Sequence, residues 1–395
     1  MLLGLVVVVA GGLVTARRSA GGPGAAPLPR TTQPGASAAA AAEAPTSTLV
    51  ETLRRKLDVP KGMVPQIIEF GDAVHGYAQF ISDEPISRPT EDPATWAYRA
   101  LIFATRDGGR TWTTLVNPAP PGDSPQLVAV DANTLIISST STTGSWVSAD
   151  GGRTFRRDPS LTPPEMAGMM RGFPVGAYDG KVVVDYFQPT MRPVANQPEL
   201  PGGGVWAAVQ GAGTRLVAAS AERAGDTAYT AISEDGGRTW RRLDAPHQDL
   251  AGPLDELRLV ASRDRADIWL LGYATVPAGG VGSTVRVRKN VGLPVIWRLD
   301  GDRWVSKGTV GRPAPKPMDT YSLAPIGGGL IAVAGPHGLA LVDDAWTMAS
   351  IFPRVEWVST LPDGTVVASA AFGNATVYLG QRSGREVRWT QVTLA

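Results

Sequence analysis

The sequence predicts an all-β protein: a seven-bladed β-propeller of four-stranded antiparallel blades, with six or eight blades as alternatives. An N-terminal apolar segment and a disordered linker precede it. Three observations predict this fold. The octet TRDGGRTW at 105–112 returns as SADGGRTF at 148–155 and as SEDGGRTW at 233–240. The octets stand 43 and 85 residues apart, one period and close to two. Each repeat also contains short runs rich in Val, Ile, Thr and Trp, split by Asp, Gly and Asn turns, as in antiparallel meanders.

The aromatic residue that ends each octet extends the register. Trp112, Phe155 and Trp240 close the three clear copies. Downstream, DGDRW, LVDDAW and REVRW place Trp304, Trp346 and Trp389 at steps of 42 and 43 residues. Only the step from Trp240 to Trp304 is long, at 64 residues, one period plus an insertion. Seven units result, with one motif missing near residue 192. The second unit shows the pattern most plainly: QLVAVDA, TLIISST, GSWVSAD and RTFRRD are four strands joined by turns. Repeats of this length with four strands have the dimensions of propeller blades.

The remaining elements follow in chain order. Residues 1–18 open with an uncharged apolar run, Leu2 to Ala16, followed by Arg17 and Arg18. At fifteen residues the run is short for a span of about 20, and it reads as an export signal or membrane anchor. Residues 19–47 form an Ala/Gly/Pro/Ser linker with too few large apolar side chains for a core. Over 48–63, Thr48 and Glu51 fit a capping box, Leu49, Leu53 and Leu57 keep helical spacing, and Pro60 stops the run. That pattern predicts a short helix. The propeller occupies 64–395.

Charge and cysteine content exclude several classes. With 37 basic and 36 acidic side chains, the chain has no bulk charge to drive nucleic-acid binding. Having no cysteine, it forms no disulfide, thiolate metal site or cysteine nucleophile.

The octets carry one acidic residue at a fixed place, too few for a calcium loop, and point instead to a hairpin staple. Asp accepts hydrogen bonds from the next backbone N–H groups, Gly supplies positive φ, Thr adds a local bond and the ring packs on a neighbouring sheet. The positions concerned are Thr105, Asp107, Gly109, Thr111 and Trp112; Ser148, Asp150, Gly152, Thr154 and Phe155; and Ser233, Asp235, Gly237, Thr239 and Trp240. This pattern resembles the Asp-box (BNR) repeat of the sialidase-like propeller superfamily. The resemblance implies the fold more than the function, because that superfamily hosts hydrolases, receptors and assembly factors alike.

The sequence contains no HExxH, Gly-x-Ser-x-Gly or Walker loop. His75, His247 and His337 lack metal-ligand spacing, and neither a metal nor a cofactor is expected. A sialidase would need a Phe-Arg-Ile-Pro motif before the first octet, where ISRP at 86–89 is a poor match. Its other pieces would have to come from Arg171, Arg258, Arg354, Tyr321 and Glu356, none in a family context. Recognition is therefore expected on loops. Successive hairpin loops alternate between the ends of a meander, so loops after the second strands lie opposite the octets. Three long insertions are assigned there, at 82–96, 188–204 and 274–294. Trp96, Arg88, Arg192, Arg286, Arg288 and Lys289 are their candidate binding residues. The expected role is a monomeric, non-catalytic, extracytoplasmic module that binds a protein or glycan and no nucleic acid, tethered through residues 2–16. A sialidase-like or other glycoside hydrolase, and an assembly factor for a membrane complex, are the alternatives.

Overall fold

A computed structural model describes residues 44–85, 98–120, 126–138, 145–159, 175–185, 191–222, 225, 227–245, 254–278, 287–290, 295–305, 322–335, 338–343, 348–352, 355–369 and 375–395. Among these residues the chain forms strands and no helix. Branched and aromatic side chains alternate across short runs broken by Gly and Asp, so each run buries its faces only by pairing with the next.

β1 (Thr46–Arg55) comes before the first sheet, which holds β2 (Met63–Phe70), β3 (Gly76–Ser82), β4 (Ala100–Thr105) and β5 (Thr113–Leu115). The second sheet holds β6 (Gln126–Ala129), β7 (Leu135–Ser138), β8 (Ser145–Ser148) and β9 (Arg156–Asp158). The third holds β10 (Val175–Tyr178), β11 (Lys181–Val184) and β12 (Arg192–Pro193). The fourth holds β13 (Ala207–Gln210), β14 (Leu216–Ala221), β15 (Ala228–Ser233) and β16 (Arg241–Arg242). The fifth runs β17 (Leu254–Ala261), β18 (Ile268–Ala278), β20 (Val295–Asp300) and β21 (Arg303–Val305), while β19 (Val287–Asn290) pairs with β18 alone. The sixth holds β22 (Ser322–Gly327), β23 (Leu330–Gly335), β24 (Gly338–Asp343) and β25 (Met348–Phe352). The last holds β26 (Trp357–Thr360), β27 (Val366–Ser369), β28 (Thr376–Ser383) and β29 (Glu386–Leu394), with β1 added outside β29.

Residues 46–55 are thus a strand, not the start of a helix over 48–63. β1 runs parallel to β29, from Thr46 beside Glu386 to Arg55 beside Leu394. Apolar residues four apart suit a regular strand as readily as a helix, but here a register shift between Leu49 and Glu51 leaves Leu49 exposed and turns only Leu53 inward. The open edge of β29 decides the outcome, and Leu53 is buried there among Phe70, Val377 and Val392.

At every junction between successive sheets except the second–third, a buried apolar cluster joins them among the described residues. Tyr77 and Ile102 meet Leu127 and Ile137 between the first and second sheets. Val175 and Val182 meet Val205 and Leu216 between the third and fourth. Trp297 closes the fourth–fifth junction, Trp269 the fifth–sixth and Trp389 the sixth–last. Phe70 and Phe80 of the first sheet then pack on Val377 and Val392 of the last. The last sheet therefore packs back on the first, in a propeller-like manner.

Backbone bonds define the two ends of each sheet. Gly108 N–H donates to Val74 O, Gly151 N–H to Asn133 O and Gly236 N–H to Thr214 O. Each octet is thereby joined to the first loop of its own sheet, so first and third loops share one end. Loops after second strands lie at the other.

The third sheet departs from expectation. Val205 N–H bonds Gly180 O, and a β-carbon on Gly202 would touch Ala221, the far end of β14. The β10–β11 turn therefore lies opposite the octets. β10, β11 and β12 fill the second, third and fourth positions of a blade, and the β11–β12 connection stands where an octet would be. The described part of the stretch 188–204, residues 191–204, is consequently not an insertion after a second strand. Arg192 opens the outer strand on the octet side, and residues 195–205 form the link to the fourth sheet.

Candidate functional site

The octets are built from one buried hydroxyl, one carboxylate and two glycines. Thr105, Ser148 and Ser233 end the third strand of their sheets, with the hydroxyl buried. Each accepts a bond from the second glycine: Gly109 N–H at 2.9 Å, Gly152 N–H at 2.8 Å and Gly237 N–H at 2.8 Å. Each also donates to the octet aspartate at 2.8 Å. Asp107 accepts the Thr111 N–H at 2.8 Å on the same Oδ1 that takes the Thr105 hydroxyl, and the Thr111 hydroxyl at 2.6 Å on Oδ2. Asp150 takes the same two bonds from Thr154, and Asp235 from Thr239.

These bonds favour the ionised carboxylate. Bonds from the backbone and side chain of Thr154 hold Asp150 far below the usual carboxylate range, and those of Thr239 do the same for Asp235. For Asp107, desolvation pushes the pKa up but is outweighed by the Thr111 bonds, and the net shift is downward. The carboxylates are occupied by their own turns, an arrangement for structure and not for proton transfer.

The second glycine marks where each octet touches the preceding sheet. A β-carbon on Gly109 would stand 2.8 Å from Val392 of β29. On Gly152 it would meet Leu115 of β5 at 2.5 Å, and on Gly237 it would meet Val194, just past β12, at 2.7 Å. The aromatic residue packs at the same junction: Trp112, Phe155 and Trp240 lie half-buried against three different inter-sheet clusters. Trp240 Nε1–H donates to Asn196 O at 2.8 Å, and Asn196 N–H returns a bond to Gly237 O at 3.0 Å. Each octet thus joins the third strand of one sheet to the outer strand of the one before.

Among the described residues, the exposed aromatics stand at the opposite end. Tyr178, at the tip of the β10–β11 hairpin, is 56% exposed, and Trp357, at the start of the inner strand β26, is 53% exposed. Tyr178 stands before Asp179 and Gly180, both at positive φ, as a two-residue type I′ turn demands. Neither residue was singled out from sequence. A usable signal existed for both, since Trp357 falls outside the repeat register and Tyr178 precedes an Asp-Gly turn.

The insertion at 274–294 is partly strand. β18 runs past its last β20 partner, Gly272, and its residues Thr275–Ala278 pair instead with β19. This hairpin arm projects from the end opposite the octets. It places Arg288 across from Pro277 and Lys289 across from Val276. Of the other predicted binding residues, Trp96, Arg88 and Arg286 lie outside the described residues, as do His247 and His337.

The hydrolase constellation is only partly in view. Arg258 and Glu256, two apart on β17, form an ion pair at 2.5 Å. Glu356 N–H bonds Ser369 O beside Trp357. Arg171, Tyr321 and Arg354 lie outside the described residues. Among the described residues, no three His, Asp or Glu side chains are grouped to hold a metal ion.

No protein-family profile matches the chain, and no curated protein matches it. By structure it is similar to YCF48 bound to D1 peptide, at 16% identity, with 80% of this chain and 92% of that chain covered and a TM-score of 0.34. It is also similar to Kuenenia stuttgartiensis hydrazine synthase, at 12% identity, 74% and 92% coverage and a TM-score of 0.30. A third similar structure is an ancestral GH74 enzyme, at 10% identity, 84% and 38% coverage and a TM-score of 0.29. This chain's own sheets define the class: an all-β protein of small antiparallel meanders joined in sequence, the last packed on the first.

Proposed function

We propose that this chain is a seven-bladed β-propeller of the Asp-box type, acting outside the cytoplasm as a non-catalytic binding or scaffold module. Its ligand, a protein or a glycan, docks on the end opposite the octets. One observation carries this reading: the exposed aromatics Tyr178 and Trp357 and the β18–β19 arm all emerge at that end. Exposed aromatic side chains on a rigid scaffold are the usual anchors of recognition. The octet carboxylates, by contrast, have spent their bonding capacity inside their own turns. Within this reading the protein is a monomer, tethered to the membrane through residues 2–16.

The test has two arms. The full chain is assayed on fluorogenic sialosides and glycosides, with no turnover expected. Hydrolysis abolished by Glu256→Gln or Glu356→Gln would sink the non-catalytic reading. In parallel, a photo-crosslinking side chain replaces Trp357 in one variant and Arg153, in the second octet, in another. Adducts in native extract are expected at 357 and not at 153; the reverse pattern would place the ligand on the octet end.

A further inference from the structure

We infer that the β18–β19 arm captures an acidic, extended protein segment as an added strand along the outer edge of β19. The inference rests on the preceding reading, since it names the partner chemistry for the same end of the molecule. Past Ala274, β18 has left both β17 and β20, so the arm is a two-stranded ribbon. Such a ribbon has two edges, and they are not equivalent.

Pro277 on β18 has no N–H to give. A proline is tolerated in a ladder only where its missing donor faces away from the partner strand. Pro277 is paired with Arg288, so this pair is of the type that makes no mutual hydrogen bonds. The N–H and C=O groups of Arg288 therefore turn outward, away from β18. Asn290, two residues on, has the same phase. On the β18 side, the outward donor at 277 is missing, and that edge is blunted. The β19 edge offers its groups at 288 and 290, and no strand pairs with it among the described residues.

Charge selects the occupant. Arg288 and Lys289 put two cations on that strand. Basic residues on an open strand repel a second copy of the same edge, which works against self-association. The same charges favour a strand carrying Asp or Glu. Main-chain bonds would supply affinity and the cations register and selectivity, as in strand addition generally.

The full chain is titrated against three fluorescent hexapeptides followed by anisotropy. One alternates Glu with Val, the second alternates Lys with Val, and the third is the acidic peptide N-methylated at every residue, so that neither of its edges can donate. The acidic peptide is expected to bind, more weakly as salt rises, and the other two are not. Asn290→Pro removes one outward donor without altering charge and should weaken binding about tenfold. Arg288→Glu with Lys289→Glu should abolish it. Equal binding of the N-methylated peptide would reduce the contact to charge alone and overturn strand addition. So would absence of acidic-peptide binding, or equal binding of the Lys peptide. If adducts persist at position 357 while every peptide fails, the inference falls and the broader reading stands.

Discussion

Gly237 faces Val194 so closely that a β-carbon at 237 would stand 2.7 Å from that valine's own Cβ. The contact spans two sheets, and it repeats as Gly109 on Val392 and Gly152 on Leu115. The adjoining Gly236, also at positive φ, has nothing within 4 Å of such an atom. The two glycines of the octet therefore have different reasons to be glycine. Gly236→Ala meets only backbone strain, about 1–2 kcal/mol. Gly237→Ala adds overpacking against Val194, a further 1–3 kcal/mol by the usual scale. Urea unfolding of both variants tests this, and equal losses would show that the octet is a local turn with no role between sheets.

The buried hydroxyl is the second exposed point of the octet design. Ser233 both accepts from Gly237 and donates to Asp235, so Ser233→Ala orphans a buried N–H and removes one bond from the carboxylate. The expected cost is about 1–3 kcal/mol. Ser233→Thr, the residue used at Thr105 in the first octet, should restore most of it. If Ala and Thr prove equally stable, the hydroxyl bonds contribute nothing net.

Acid should loosen the fold through the same turns. Asp107, Asp150 and Asp235 have folded pKa values below the unfolded value of about 3.9. A depressed pKa contributes stability in full above the unfolded value, and that contribution disappears as pH falls through the folded one. Melting temperature should therefore drop steeply below about pH 4, in the window where these groups begin to protonate. Asp150→Asn combined with Asp235→Asn should melt lower at pH 7 yet show a flatter acid limb. An unchanged slope would assign acid sensitivity to other carboxylates.

Why the octets were legible in sequence and the third sheet was not has a physical answer. Asp, Gly and Thr at fixed spacing are required by a turn whose bonds are all local, so the spacing announces both the turn and its place in the meander. The third sheet has no octet at its third loop, and without that mark its strands were counted one position out. Arg192 was then assigned to the wrong end, although Gly202 and Gly204, further along the same segment, do lie opposite the octets. The β18–β19 arm was visible only as length and charge, because pairing within an insertion depends on backbone phase. Trp357 and Tyr178 carried local marks, a Trp outside the repeat register and a residue before an Asp-Gly turn, but their exposure follows from how the sheets pack and is not written in those marks. β1 was misread for a related reason: its partner lies at the other end of the chain, and no neighbouring residues signal a parallel strand.

That distant pairing leads to the last prediction. β1 lies on β29 and also reaches the first sheet, where Arg55 Nε–H donates to Arg110 O at 2.7 Å and Arg110 pairs with Glu51 at 2.6 Å. The chain end is held as well, since Ala395 N–H bonds Arg55 O and Leu57 N–H bonds Ala395 O. Both partners of the Arg110–Glu51 pair are partly exposed, so it contributes at most about 1 kcal/mol. Leu53 matters more, being buried between the last sheet and the first. Leu53→Ala should cost about 2–5 kcal/mol. If β1 closes the ring, amide exchange in this variant should accelerate across β29 and around Phe70, while β13–β15 on the fourth sheet change little. Acceleration confined to β1 would mean that the strand is merely appended, and that closure rests on Phe70, Phe80, Val377 and Val392 alone.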